Sequence, residues 1–99
     1  MPLNKIILYY GFAPIADPQA VMLWQRTLCE TLELKGRILI SPHGINGTLG
    51  GKMENLKKYA HATKEFKGFS KIDFKWSAGT GDEFSKLMVK VRKELVAFT

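Results

Sequence analysis

Apolar positions along the chain follow two rhythms, that of strands and that of helices. Lys5 to Phe12 is an almost unbroken run of Ile, Leu, Tyr and Phe, which predicts a strand that is covered on both faces or central in a sheet. Gly11 and Pro14 end it. Asp17-Pro18 then opens a helix: the carboxylate can accept from free first-turn N–H groups, and proline at the first helical position forfeits no bond. Val21, Trp24, Leu28 and Leu32 recur at helical spacing as one apolar stripe, with Gln25, Arg26, Glu30 and Glu33 away from its centre. Gly36 is expected to stop this helix in the left-handed conformation.

Arg37 to Ser41 predicts a second strand, closed by Pro42. His43-Gly44-Ile45-Asn46-Gly47 has the composition of a turn, and Thr48-Leu49 that of a short third strand before Gly50-Gly51. A second helix is predicted from about Lys52 to Phe66, with Leu56, Tyr59, Ala60, Thr63 and Phe66 on one face and Lys57, Lys58, His61 and Lys64 on the other. Ile72 to Trp76 and Leu87 to Arg92 alternate like half-buried strands around a loop from Ala78 to Glu83. In the last strand Leu87, Val89 and Val91 face in and Lys90 and Arg92 out. The phase breaks near Lys93-Glu94, a place for a bulge or bend. The order of elements predicts one α+β domain over residues 1–99: a ferredoxin-like βαββαβ sandwich with one extra C-terminal strand and two helices on one sheet face.

Composition agrees with a folded domain: of 99 residues 45% are hydrophobic and 24% charged. The first apolar run is too short to span a membrane and no small-residue cleavage site follows it, so a cytoplasmic location and no membrane partner are expected. Cys29 is the one cysteine, which excludes an intramolecular disulfide. The net charge of +6 is uneven, +1 over residues 1–51 and +5 over residues 52–99. A basic half attracts polyanions such as RNA, although lysine-rich solvated surfaces look the same in sequence.

Candidate chemistry is sparse. Cys29 falls in mid-helix on the flank of the stripe, where a packed, inert thiol is expected rather than a nucleophile. Cys29, His43 and His61 match no zinc spacing, so no catalytic residue, metal or cofactor is expected in this domain. Gly51-Lys52 resembles the end of a phosphate-binding loop, but Met53 replaces the required Ser or Thr. Gly44-Ile45-Asn46-Gly47 fits the GxxG that clamps RNA backbone in KH domains, but joins strands here rather than helices. Tyr9, Tyr10, Phe74 and Trp76 invite comparison with sheets whose exposed aromatics stack on bases. Phe74 and Trp76 belong in the core, because Asp73 and Lys75 alternate with them. Of Tyr9 and Tyr10, only one can point under the helices. Arg37, His43, Asn46, Lys90, Arg92 and Lys93 would make a basic edge beside a glycine-rich turn, suited to phosphate contacts.

A family resemblance covers nearly the whole chain. Tyr9-Tyr10-Gly11-Phe12, Ile15-Ala16-Asp17-Pro18, Leu28-Cys29-Glu30, Leu34 to Ile40, Gly44-Ile45-Asn46-Gly47-Thr48-Leu49 and Lys86 to Val96 together resemble the N-terminal, acylphosphatase-like domain of the rhodanese-related tRNA uridine hydroxylases. The resemblance implies a parent enzyme that hydroxylates the wobble uridine of tRNA with oxygen, through a cysteine in a downstream rhodanese domain absent from this chain. It implies tRNA and that rhodanese domain as partners, with no DNA, and a tRNA-binding or positioning role for this domain. A departure stands at His43, where the family more often carries Glu. Two other roles remain open. One is a structural domain that supports the rhodanese domain. The other is a small acyl phosphate hydrolase, which would need an arginine in the loop from Gly11 to Asp17, where none occurs.

Overall fold

The computed structural model describes residues 3–93. In chain order they form β1 (Asn4–Phe12), α1 (Pro18–Thr31), β2 (Lys35–Ser41), β3 (Gly44–Lys52), α2 (Met53–Lys64), β4 (Lys75–Ala78) and β5 (Leu87–Val91). The strands make one sheet in the order β4-β1-β3-β2-β5. β3 runs antiparallel to both β1 and β2, and β4 antiparallel to β1, while β5 lies parallel to β2. The first six elements are the split βαββαβ arrangement of ferredoxin-like α+β folds, and β5 is the added strand.

Alternation along the strands sends Ile7, Tyr9, Ile38, Ile40, Ile45, Leu49 and Val89 to one face. There they are buried against Val21 and Cys29 of α1 and Leu56 and Tyr59 of α2. Asp17 caps α1 as its sequence predicts, its side chain accepting from the Ala20 amide at 3.1 Å. The centre of the buried face is Val21, Gln25 and Cys29, whereas Trp24, Leu28 and Leu32 are partly buried at its border. Gln25 departs from expectation because its amide has buried partners. Its Oε1 accepts from the Tyr59 hydroxyl, itself bonded to that of Tyr9, and its Nε2 donates to Thr63 Oγ1 at 3.2 Å. Hydrogen bonding makes a fully buried amide tolerable.

Other boundaries also shift. The helix ends before Gly36, and Glu33 takes the left-handed conformation with φ 56°. Gly36 lies inside β2 at φ 140°, where a Cβ would stand 2.1 Å from the Thr48 carbonyl oxygen. Glycine there serves sheet pairing, not the helix end. The connection between β2 and β3 is only Pro42-His43, and β3 starts at Gly44 rather than Thr48. It pairs on both sides from Gly44 to Gly50, with Phe12 and Ser41 opposite Gly44, and this double ladder overrides the weak strand preference of its glycines. β4 begins at Lys75, later than the alternation from Ile72 implies. Ile72 and Phe74 are buried on the approach to it, but Trp76 is 40% exposed because it sits on an edge strand. The fifth strand keeps its predicted phase, with Val89 buried and Lys90 exposed. The expected bend at Lys93-Glu94 runs beyond the described residues. Among these, no helix is long and apolar enough to cross a membrane.

Candidate nucleic-acid interface

Both helices cover the same side of the sheet, so alternate strand positions form a second face with no helix on it. Register defines its rows. Lys75, Leu8, Thr48, Arg37 and Met88 lie across the sheet from β4 to β5, and Tyr10, Asn46, Leu39 and Lys90 form the next row. Phe12, Gly44 and Ser41 follow. None of the strand residues is acidic, so Arg37, Lys75 and Lys90, all exposed, face solvent with no carboxylate among them on the strands. Phe12 and Leu8 are 74% and 53% exposed. Tyr10 and Phe12 lie side by side, ring centroids 4.6 Å apart and tilted by 47°.

The structure brings together three of the six candidate residues, Arg37, Asn46 and Lys90, on this face. His43 is exposed in the β2–β3 turn, its amide donating to Ser41 Oγ at 3.1 Å. Arg92 follows β5 at the same end: its amide donates to the Ile40 carbonyl at 2.7 Å and its guanidinium to the Val91 carbonyl at 3.1 Å. Lys93 is exposed beyond it. The basic residues therefore border a face, not only an edge. Sequence reasoning omitted Lys75, Leu8 and Phe12 from this surface. The signal for Leu8 and Phe12 was present, since β1 is apolar on both of its alternating sides and only one side lies beneath helices, and Lys75 alternates with Phe74 and Trp76.

The opposite end of the face is closed by the β4–β5 loop. Phe84 lies over Gly50, where a Cβ would be 3.1 Å from its ring. Glu83 ties the loop together, accepting from the Thr80 amide at 2.5 Å, Thr80 Oγ1 at 3.0 Å and the Gly81 amide at 3.2 Å. These bonds, the Thr80 amide first, hold its carboxyl below the usual range. A cleft of about 290 Å³ beside it is lined by Asn4, Lys35, Lys52 and Glu83.

Elsewhere the reactive groups are sealed. Cys29 is fully buried, and burial together with the Glu30 charge pushes its thiol up to about 12, so no thiolate is available near neutrality. Burial also raises Tyr9 and Tyr59 well above the ordinary tyrosine range. Among the described residues no three His, Cys, Asp or Glu side chains converge as metal ligands.

Comparison with known proteins adds lineage to this geometry. The family described as "UPF0176 acylphosphatase like domain" matches residues 4–95. A Corynebacterium jeikeium (strain K411) protein named tRNA uridine(34) hydroxylase is 66% identical over 95 residues, covering 96% of this chain and 31% of that protein. A protein of the same name from Arthrobacter sp. (strain FB24) is 58% identical over 98 residues, covering 99% of this chain and 33% of its own length. The chain thus spans about a third of the length of the curated relatives it matches. Among solved structures, acylphosphatase from Bacillus subtilis superposes with a TM-score of 0.62 at 15% identity, over 88% of this chain and 97% of that one. Dark-state BlrB, a BLUF protein, reaches 0.75 at 18% identity, over 92% and 74%. At such identities these structures share the fold.

Proposed function

Because the chain belongs to the UPF0176 acylphosphatase-like domain family, whose relatives here are named tRNA uridine(34) hydroxylases, we propose that it is the tRNA-binding and positioning module of such an enzyme. The observation that carries this reading is the helix-free sheet face, with Arg37, Lys75 and Lys90 exposed on strands that hold no acidic residue. His43, Arg92 and Lys93 extend it at one end, and Asn46 offers an amide within it. Such a surface binds phosphates and so positions RNA without reading its sequence. In this reading hydroxylation belongs to a rhodanese domain elsewhere in the parent enzyme, and this domain holds no cofactor.

The test is the salt dependence of tRNA binding by the chain. Three or four phosphate contacts give a log–log slope of roughly −2 to −4. Arg37→Gln, Lys90→Gln and Lys93→Gln together should weaken binding and flatten the slope by about two units or a little more, each lost contact contributing somewhat under one. All three side chains are exposed, so the unfolding midpoint should hold. Wild-type affinity and slope in the triple variant would falsify the proposal.

A further inference from the structure

On the reading that this face meets RNA, we infer that Tyr10 and Phe12 form a stacking platform for unpaired bases, so that the face takes single-stranded loop RNA in preference to a duplex. Phe12 is 74% exposed although it sits on a strand that is central in the sheet for half its length. An aromatic ring left in water forgoes the burial that normally secures it, and contiguous exposed apolar surface marks a binding site. β4 pairs with β1 only from Lys5 to Leu8, so beyond Leu8 the two rings have no strand flanking them on that side. On the other side Gly44, opposite Phe12, presents no side chain. Pairing with β3 fixes the backbone that carries both rings, so the chain itself needs no ordering when a ligand arrives.

The surroundings decide between occupants. Asn46 stands directly across from Tyr10, and its amide can both donate to and accept from a base edge. Lys90 closes the same row three strand spacings away, about 14 Å at ~4.8 Å per step, where a phosphate of the same strand can reach it. A second protein domain would bury the rings equally well, but strands bearing Arg37, Lys75 and Lys90 with no carboxylate between them suit a polyanion. In a duplex the bases are stacked internally and the major groove is too deep and narrow for side chains, whereas loop bases can be splayed onto aromatic rings.

The experiment uses the 99-residue chain and two RNAs: a hairpin with a fluorescent aminopurine in its unpaired loop, and a fully paired duplex of matched composition. Binding of the hairpin should change the loop fluorescence. Phe12→Leu and Tyr10→Leu should each weaken hairpin binding roughly 5- to 150-fold, the range for one lost base–aromatic stack, with the salt slope unchanged because no phosphate contact is removed. Phe12→Tyr, which keeps the ring, should bind as wild type and guards against a folding artefact. The duplex should bind more weakly and respond to none of these changes. Wild-type hairpin affinity in both leucine variants, or equal losses for hairpin and duplex, overturns the platform while an intact salt slope leaves the phosphate reading standing. Absence of RNA binding by the wild-type chain overturns both.

Discussion

The hydroxyl of Tyr59 is the junction of the buried polar chain, and replacing it tests whether hydrogen bonding is what permits an amide in the core. In the native fold Tyr59 donates to Gln25 Oε1, and its oxygen is bonded to the Tyr9 hydroxyl. Tyr59, Gln25 and Thr63 are 0% exposed and Tyr9 3%, so water cannot substitute. Tyr59→Phe strands two groups at once, Gln25 Oε1 and the Tyr9 hydroxyl. Each stranded buried group costs about 1–3 kcal/mol. With some relaxation of the glutamine, a total of about 2–4 kcal/mol is expected, which lowers the unfolding midpoint of a domain this size by roughly 8–32 °C. Tyr9→Phe removes only the end of the chain, leaves the bond from Tyr59 to Gln25 intact, and should cost about 1 kcal/mol. Combining the two removes the stranded Tyr9 hydroxyl, so the double variant should cost less than the sum, by about 1 kcal/mol or more. Urea unfolding followed by circular dichroism, with slopes checked for constancy, measures all three. A loss below about 0.5 kcal/mol in Tyr59→Phe, or strict additivity in the double variant, would show that the network does not hold the amide in place.

Two further outcomes follow from the same structure. Cys29, Tyr9 and Tyr59 are held neutral above their ordinary pKa values, chiefly by burial, Cys29 up to about 12. Because the unfolded chain releases these protons first, their contribution is whole below about pH 9 and is lost as pH rises through the alkaline range, at about 1.4 kcal/mol per pH unit for each group ionised only when unfolded. Urea midpoints from pH 7 to 11 should fall steeply above pH 9, and Cys29→Ala should remove the earliest part of that fall; a flat profile would contradict the burial argument. Gly36→Ala should destabilise the fold by about 2 kcal/mol or more, through backbone strain at φ 140° and collision with the Thr48 carbonyl. A near-native unfolding midpoint in Gly36→Ala would show that β2 and β3 can separate at this point without loss.

Element order was legible because it rests on local signals. Asp17-Pro18 announces a helix start by bonds within one turn, and Leu56, Tyr59 and Thr63 mark a buried helix face by spacing alone. The failures share a cause: each depends on a partner distant in sequence. Gly44 to Gly47 reads as a turn until β1 and β2 are known to pair with it from both sides. Gln25 reads as solvated until Tyr59 and Thr63, more than thirty residues away, supply its bonds. Trp76 reads as core by alternation, but an edge strand has no neighbour to finish its burial. For the candidate interface, residue type singled out Arg37, Asn46 and Lys90. Joining them to Tyr10, Phe12 and Lys75 required the register across five strands.

The likeness to acylphosphatases raises the question of where an anion would bind on this version of the scaffold, since a fold does not dictate its site. In the loop between β1 and α1, the Ala13 amide donates to the His43 carbonyl and the Ile15 amide to the Pro42 carbonyl, both at 3.0 Å. Those donors are thus bonded within the protein, and both residues are buried. No Lys or Arg lies between Gly11 and Asp17 to add charge. A phosphate placed there would meet neither free amides at these two positions nor a cation from the loop itself. Fixing this loop to the β2–β3 turn has another consequence, because the same contacts hold Phe12, the residue just before Ala13, at the rim of the open face opposite Gly44. The bonds that close the loop to a small anion therefore also position an aromatic ring on the sheet face where Arg37, Lys75 and Lys90 are exposed on strands without acidic residues. The proposed site for a polyanion is accordingly the sheet face and not this loop.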